Sequence, residues 1–411
     1  MWSVAVAALW SLSALPPGPL PPGAVVVGTA GLDDDATAIG ALVVDGDGAR
    51  LLPVATLAHR AGFVPAGAVV DDRRLVFSVR DGAARDARVV VLDVDTGATR
   101  TLVDEVVPEQ APVVVQDAAG PAVVVVRPWD ADAAGATFDV LRVDVAGGAA
   151  EVLASRRALW VTPVRGALAR ADLRFLVKDG GEAGVDGDGG LHIDAVVDGA
   201  FVAGPRLPWR SARTPVLAGP AGRAGAVLLE AAAPTDSSSP ASSTGRRAAL
   251  VDDAGGQHGR GLAGMDPVVV ATVGDGDAGG VAGVVVRTAA AGTGRKDGSL
   301  RVRRRVGDVD AGPWQERRAG AAGVARPRAV TAGGDVVAWL DRGASLPGEL
   351  WLVRADGTSL RLLPPRPRFV VQVYGVVAPA PATSSSPPPP TPPSPSPAPP
   401  GASSTQPGVR P

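Results

Sequence analysis

The feature that most constrains this chain is a recurrence every 50 residues or so. An apolar strand, a Gly or Asp-Gly turn and a second short strand repeat as ALVVDGDGARLL, VVVLDVDTGATRTL, FDVLRVDVAGGAAEVL, LHIDAVVDGAFV, AALVDDAGGQHGRGL, LRVRRRVGDVD and LWLVRADGTSLRLL. Their turn glycines, Gly48, Gly97, Gly147, Gly199, Gly255, Gly307 and Gly357, lie 49, 50, 52, 56, 52 and 50 residues apart. About 20 residues before each turn lies another apolar run: VVVG, LVFSVR, AVVVVR, LRFLVK, AVLLE, VVVR and VVAWLD. Ahead of several of these is a third strand opened by proline, at Pro112, Pro163, Pro215 and Pro267, where no ladder hydrogen bond is asked of the residue. Each unit therefore reads as a four-stranded antiparallel meander. A single small sheet cannot bury both of its faces, whereas stacked repeats can. The expectation is all-β: a seven-bladed β-propeller of four-stranded antiparallel blades over residues 24–377, at about 51 residues per blade. A pair of β-sandwiches would show strand spacing without this longer period.

The ends of the repeat region predict how such a ring closes. The first unit starts at Ala24-Val25-Val26-Val27, directly after a Pro/Gly stretch, and so lacks an innermost strand. A spare strand, Phe369–Val377, follows the seventh unit, and pairing it into the first blade would cover an open edge. On the other side, residues 1–23 read as a signal peptide and Pro/Gly lead-in. The apolar run Val4–Leu15 is too short to span a bilayer but suits a signal core, although Met1, Trp2 and Ser3 supply no positive charge before it. With no other long apolar run and no Cys, the mature chain is expected outside the cytoplasm, periplasmic or at the cell surface, without a membrane span. Residues 378–411 contain 14 prolines among Ser, Thr and Ala and read as an extended, disordered tail. The stretch Pro234–Thr244 has the same character and reads as an exposed loop.

Two stretches carry a resemblance. ARVVVLDVDTGATRTLVD, from Ala87, and GELWLVRADGTSLRLLPP, from Gly348, resemble the repeat of TolB-type propellers, the WD40-like class, and LVFSVRDG (residues 75–82) resembles its third element. The likeness is good in units two, three and seven and faint in units four to six. The Ser-Pro-Asp-Gly turn of that repeat is replaced here by Gln116-Asp117-Ala118-Ala119-Gly120 and similar loops. The resemblance implies the propeller fold and transfers no site.

Candidate chemistry is sparse. No Gly-x-Ser-x-Gly elbow, Walker loop or dinucleotide fingerprint occurs. The absence of Cys removes thiolate catalysis and disulfides. His59, His192 and His258 fall in different units, without metal-type spacing, and are expected on the surface or in turns. Asp45-Gly46-Asp47-Gly48, Asp186-Gly187-Asp188-Gly189 and Asp275-Gly276-Asp277 lack the distal ligand of a calcium loop, and hairpin turns account for them. No metal and no cofactor are expected. Forty basic against 42 acidic residues give a net charge of −2 and no surplus for nucleic acid. The best candidate site is an interaction face. Arg80, Arg127, Lys178, Arg287 and Arg342 end the second strand of their units and would form a basic arc at one end of the ring, suited to an acidic partner. Trp129, Trp160 and Trp209 are placed in connections on the same side. These readings converge on a monomeric, non-catalytic exported scaffold that binds another envelope protein or polymer. The alternative is a propeller enzyme or carbohydrate-binding protein with a central pocket.

Overall fold

The valine-rich runs become strands because β-branched side chains fit a pleated surface. The computed structural model of the chain describes residues 18–378 except 83–85, 109, 118, 133–134, 165–169, 171–172, 180–189, 205, 208–211, 218–226, 233–245, 252–256, 259–266, 276–280, 289–297, 307–308, 332, 343–346 and 365–368; it describes backbone alone within 207–297 and 303–312 and at 132 and 314. The expected signal peptide core and Pro-rich tail, and the loop Pro234–Thr244, lie outside the described residues. The chain divides at Pro379/Ala380 into two units, and every described residue belongs to the first.

Every described element is a strand, and the pairings are antiparallel. The first sheet contains β1 (Val25–Gly31), β2 (Ala36–Asp45) and β3 (Gly48–Ala58), and the second β4 (Ala66–Val69), β5 (Arg74–Val79), β6 (Ala87–Asp93) and β7 (Thr99–Val106). Next come β8 (Val113–Asp117), β9 (Gly120–Asp132), β10 (Gly135–Asp144) and β11 (Ala150–Ala158) in the third sheet. The fourth has β12 (Trp160–Pro163), β13 (Arg174–Lys178), β14 (Leu191–Val197) and β15 (Ala200–Val202), with a fifth short strand, β16 (Arg206–Leu207), also paired to β14. The fifth sheet is β17 (Ala212–Leu217), β18 (Val227–Ala232), β19 (Arg246–Val251) and β20 (Gln257–His258). The sixth is β21 (Pro267–Asp275), β22 (Val281–Thr288), β23 (Ser299–Val306) and β24 (Val309–Arg318). Then follow β25 (Val324–Val330), β26 (Val336–Asp341), β27 (Glu349–Val353) and β28 (Ser359–Leu363). Last in the chain, β29 (Phe369–Val376) pairs antiparallel with β1, Val25 opposite Val376 and Gly31 opposite Phe369, so the first sheet runs β29-β1-β2-β3.

Where side chains are described, neighbouring sheets pack face to face, which explains why their central strands are continuously apolar instead of alternating. In β5, Leu75 and Phe77 face Ile39 and Leu52 of the first sheet, while Val76 faces Val123, Val125 and Leu141 of the third. In β10, Phe138 and Val140 join Phe175 and Ile193 of the fourth sheet. Leu300 and Val302 of β23 pack with Val336, Ala338 and Leu340 of β26. Leu350 and Leu352 of β27 reach Val25, Val27 and Leu42, so the last four-stranded meander packs on the first sheet. Arg354 also hydrogen-bonds the β2–β3 turn at the Gly46 carbonyl.

Two of the proline-opened strands differ from expectation. Pro163 closes β12 and Pro215 lies inside β17, at a register shift between Arg213 and Val216. Both strands are sheet edges, where a missing N–H costs no ladder bond, so proline marks the edge and not the first residue. The fourth sheet departs from four strands because Gly204 turns the chain back against β14, its N–H donating to the Asp194 carboxylate at 3.1 Å.

Candidate functional site

The residues expected to form a basic arc fall at different points along the second strands of their sheets. Arg80 follows β5, Lys178 closes β13, Arg287 lies one residue before the end of β22 and Arg342 follows β26, whereas Arg127 lies within β9, five residues before its end. Trp160 opens β12 directly opposite Lys178 and packs, half-buried, against the core between the third and fourth sheets. Trp129 is not in a connection but within β9, two residues beyond Arg127, and is 50% exposed. The side chain of Arg287 and all of Trp209 lie outside the described residues.

These cations are not a bare electropositive arc. Arg127 bonds Asp139 on the neighbouring β10 at 3.1 Å, and Arg342 bonds Glu349 at the start of β27 at 3.0 Å. Arg80 lies over the Phe63 ring, 4.6 Å from its centroid. Both carboxylates are buried, and each also accepts an indole N–H: Trp129 Nε1 donates to Asp139 at 2.9 Å and Trp351 Nε1 to Glu349 at 2.8 Å. Ser155 Oγ, on β11, completes the Asp139 cluster at 2.6 Å. Burial pushes the Asp139 carboxyl up, but the bonds from Ser155, Trp129 and Arg127 outweigh it and hold it below its ordinary value. An arginine–carboxylate–tryptophan clamp thus occurs in two sheets. The sequence showed the arginines and Trp129 but not Asp139 or Glu349, because only cross-strand register brings the carboxylates to them.

A second polar cluster joins the third and fourth sheets. Arg156 of β11 pairs with Asp194 and, at 2.8 Å, with Asp179, while His192 Nε2 lies 3.2 Å from Asp179. Asp194 is fully buried, and desolvation raises its carboxyl above the ordinary value despite the Gly204 N–H and the Arg156 guanidinium. Of the histidines expected on the surface or in turns, His59 does lie in the connection after β3 but is 6% exposed, bonded through Nε2 to Thr37 at 2.7 Å and through Nδ1 to the Arg60 carbonyl at 2.9 Å, while His192 lies within β14 instead. The His258 side chain lies outside the described residues. Among the described residues no group of three or more His, Asp or Glu is placed to hold a metal ion, and no helix is long and apolar enough to cross a membrane.

No family model and no curated protein matches the sequence. Solved structures do. TolB from Acinetobacter baumannii matches with TM-score 0.43 and 11% identity over 90% of this chain and 71% of that one. The chain is similar to TolB. It is also similar to the β-propeller domain of the Trilobed protease from Pyrococcus furiosus, with TM-score 0.45 and 13% identity over 84% of this chain and 99% of that one. A prolyl endopeptidase matches with TM-score 0.46 and 13% identity over 86% of this chain, which spans 50% of the endopeptidase. An acylaminoacyl peptidase and an oligogalacturonate lyase at 11% and 13% identity are further similar structures. These overturn the expectation that the chain is not an enzyme, since enzymes stand among the structures it is similar to. Spacing along the chain does not bound the chemistry of such a fold, which gathers Arg156 of β11, Asp179 after β13 and Asp194 of β14 from separate segments.

Proposed function

We propose that the sheets are the blades of a seven-bladed ring closed by β29, and that this ring is an exported binding scaffold of the cell envelope. The end where second strands finish is its binding face. The observation that carries this reading is the half-exposed Trp129 held beside the paired Arg127, with two further exposed apolar side chains at the same end; Val152, Val197 and Val202 are exposed elsewhere on the sheets. Leu32, in the β1–β2 turn, is 56% exposed; Trp129 is 50% exposed, and Leu159, between β11 and β12, is 42% exposed. Antiparallel order puts all three at that one end. Exposed tryptophan beside paired arginines is the composition of interface anchors. Because Arg127 and Arg342 are neutralised by carboxylates, the face suits an uncharged or mixed-charge surface better than a strongly acidic one.

The test is co-sedimentation of the purified full chain with the native envelope fraction. Saturable binding is expected, and Trp129→Ser with Leu159→Ser should weaken it about tenfold while shifting Tm by no more than about 3 °C. Failure to co-sediment would remove the scaffold reading. Equal binding by the double variant would remove this face.

A further inference from the structure

The two clamps differ in what covers the tryptophan. Around Glu349, the Trp351 ring is packed on the chain entering the seventh sheet, so closely that a Cβ placed on Gly320 would lie 2.6 Å from its Cζ3. Around Asp139, the Trp129 ring is half bare although its orientation is fixed through Nε1. The local backbone accentuates this. The register of β9 with β10 shifts between Gly135 and Thr137, and Asp130 takes a left-handed φ of 48°. Such a bulge re-aims side chains and is frequent beside functional sites. The Asp130 carboxylate, 68% exposed, sits 3.7 Å from the Arg157 guanidinium, 43% exposed, on the strand next to Thr137, which is itself opposite Trp129.

We propose that Trp129, flanked by Asp130, Arg157 and Thr137, is a stacking platform for a sugar ring of a neutral polysaccharide. This rests on the reading of that end as the binding face and names its partner. A pyranose presents a face of C–H groups that packs on an indole, and a rim of hydroxyls that both donate and accept. The rim meets a carboxylate acceptor, a guanidinium donor and a hydroxyl. The rigid ring loses little conformational entropy on stacking, since a buried carboxylate already orients it. The surroundings disfavour other occupants. A cation over the ring would meet Arg157. A proline-rich helix docks between several aromatic rings, and among the described residues Trp129 is the one aromatic side chain counted with the exposed large apolar groups.

Cellohexaose, maltohexaose and chitohexaose are titrated into the full chain by calorimetry, with a peptide of residues 386–400 as a separate arm. At least one hexasaccharide is expected to bind, with a Kd of roughly 10 μM to 1 mM. Trp129→Ala should weaken it about tenfold or more, and Trp129→Phe, which keeps a ring but loses the N–H, by about threefold. Trp351→Phe, in the covered clamp, should leave it unchanged. Thermal melting confirms that each variant is folded, and Trp129→Phe separates lost stacking from a disturbed clamp. No hexasaccharide binding by the unaltered chain, binding indifferent to Trp129, or Trp129-dependent binding of the peptide alone would each overturn the proposal. Envelope co-sedimentation without sugar binding would overturn it while leaving the scaffold reading intact.

Discussion

Two buried aspartates on third strands experience opposite pressures. Asp139 is held below its ordinary value of 3.8 because bonds from Ser155, Trp129 and Arg127 outweigh its burial. Its clamp is therefore at full strength above pH ~4 and is lost as acid titrates the folded-state carboxyl. Asp194 is raised above 3.8, chiefly by desolvation. Its protonated form is the one the fold favours, so that contribution is present at low pH and fades as pH rises through the raised value. Urea unfolding between pH 3 and 8 separates them. Asp139→Asn should flatten the loss of stability on the acid side and cost about 1–3 kcal/mol at neutral pH, because Arg127 is left beside a neutral amide. Asp194→Asn should remove the decline that begins above pH ~4, with Arg156 still held by Asp179. Identical pH profiles for the two variants would contradict this assignment. Neither aspartate was legible in the sequence as a partner of its arginine. Asp139 lies 12 residues from Arg127 and Asp194 lies 38 from Arg156, separations that become contacts only through strand register and sheet stacking.

At the scale of elements, the strand order was legible because each unit buries both sheet faces and turns on glycine. Gly97, Gly199 and Gly357, three of the seven recurring glycines, have φ of 68°, 81° and 90°, where a side chain is strained. Strand starts were less legible, since proline is tolerated along an edge strand and at a bulge, as Pro163 and Pro215 show. The junction of β29 with β1 offers the sharpest packing test. A methyl on Gly28 would run into the Tyr374 hydroxyl, and it would also lie 2.8 Å from the methyl of Thr37. Tyr374 is 7% exposed, stacks edge-on against Phe77 at 4.9 Å, and its hydroxyl has no protein hydrogen-bond partner. Gly28→Ala should cost about 1–3 kcal/mol by overpacking. Tyr374→Phe alone should be neutral or stabilising, because it deletes a buried unsatisfied hydroxyl. Combining the two should recover part of the loss, since the nearest clashing atom is gone. Strictly additive effects in thermal melts would show that the two residues do not meet.

For the whole molecule, the question is whether cohesion passes around a ring or along an open stack. In an open stack the first and last sheets would each present a bare face. Here Leu350 and Leu352 bury against Val25, Val27 and Leu42, and β29 brings Val371, Val373 and Val376 to the same cluster. β29 thus joins β1 by a ladder, while Leu350 and Leu352 of β27 join the first sheet by packing, the two contacts on which the proposed closure rests. Ending the chain at Ala378 removes a Pro-rich segment whose composition cannot supply a core, so Tm should change by no more than about 2 °C. Ending it at Pro364 removes β29. The edge of β1 then loses its partner, and Tyr374 and the three valines leave two interfaces. At about 25 cal/mol per Å² of apolar area, that loss should amount to several kcal/mol, a large share of the roughly 5–15 kcal/mol that holds a folded domain. An unpaired β1 edge should also make the shortened chain associate through strand pairing. Differential scanning calorimetry with light scattering reads both effects. If the chain ended at Pro364 melts like the chain ended at Ala378 and stays monodisperse, β29 does not close a ring. The sheets would then be held by neighbour contacts alone.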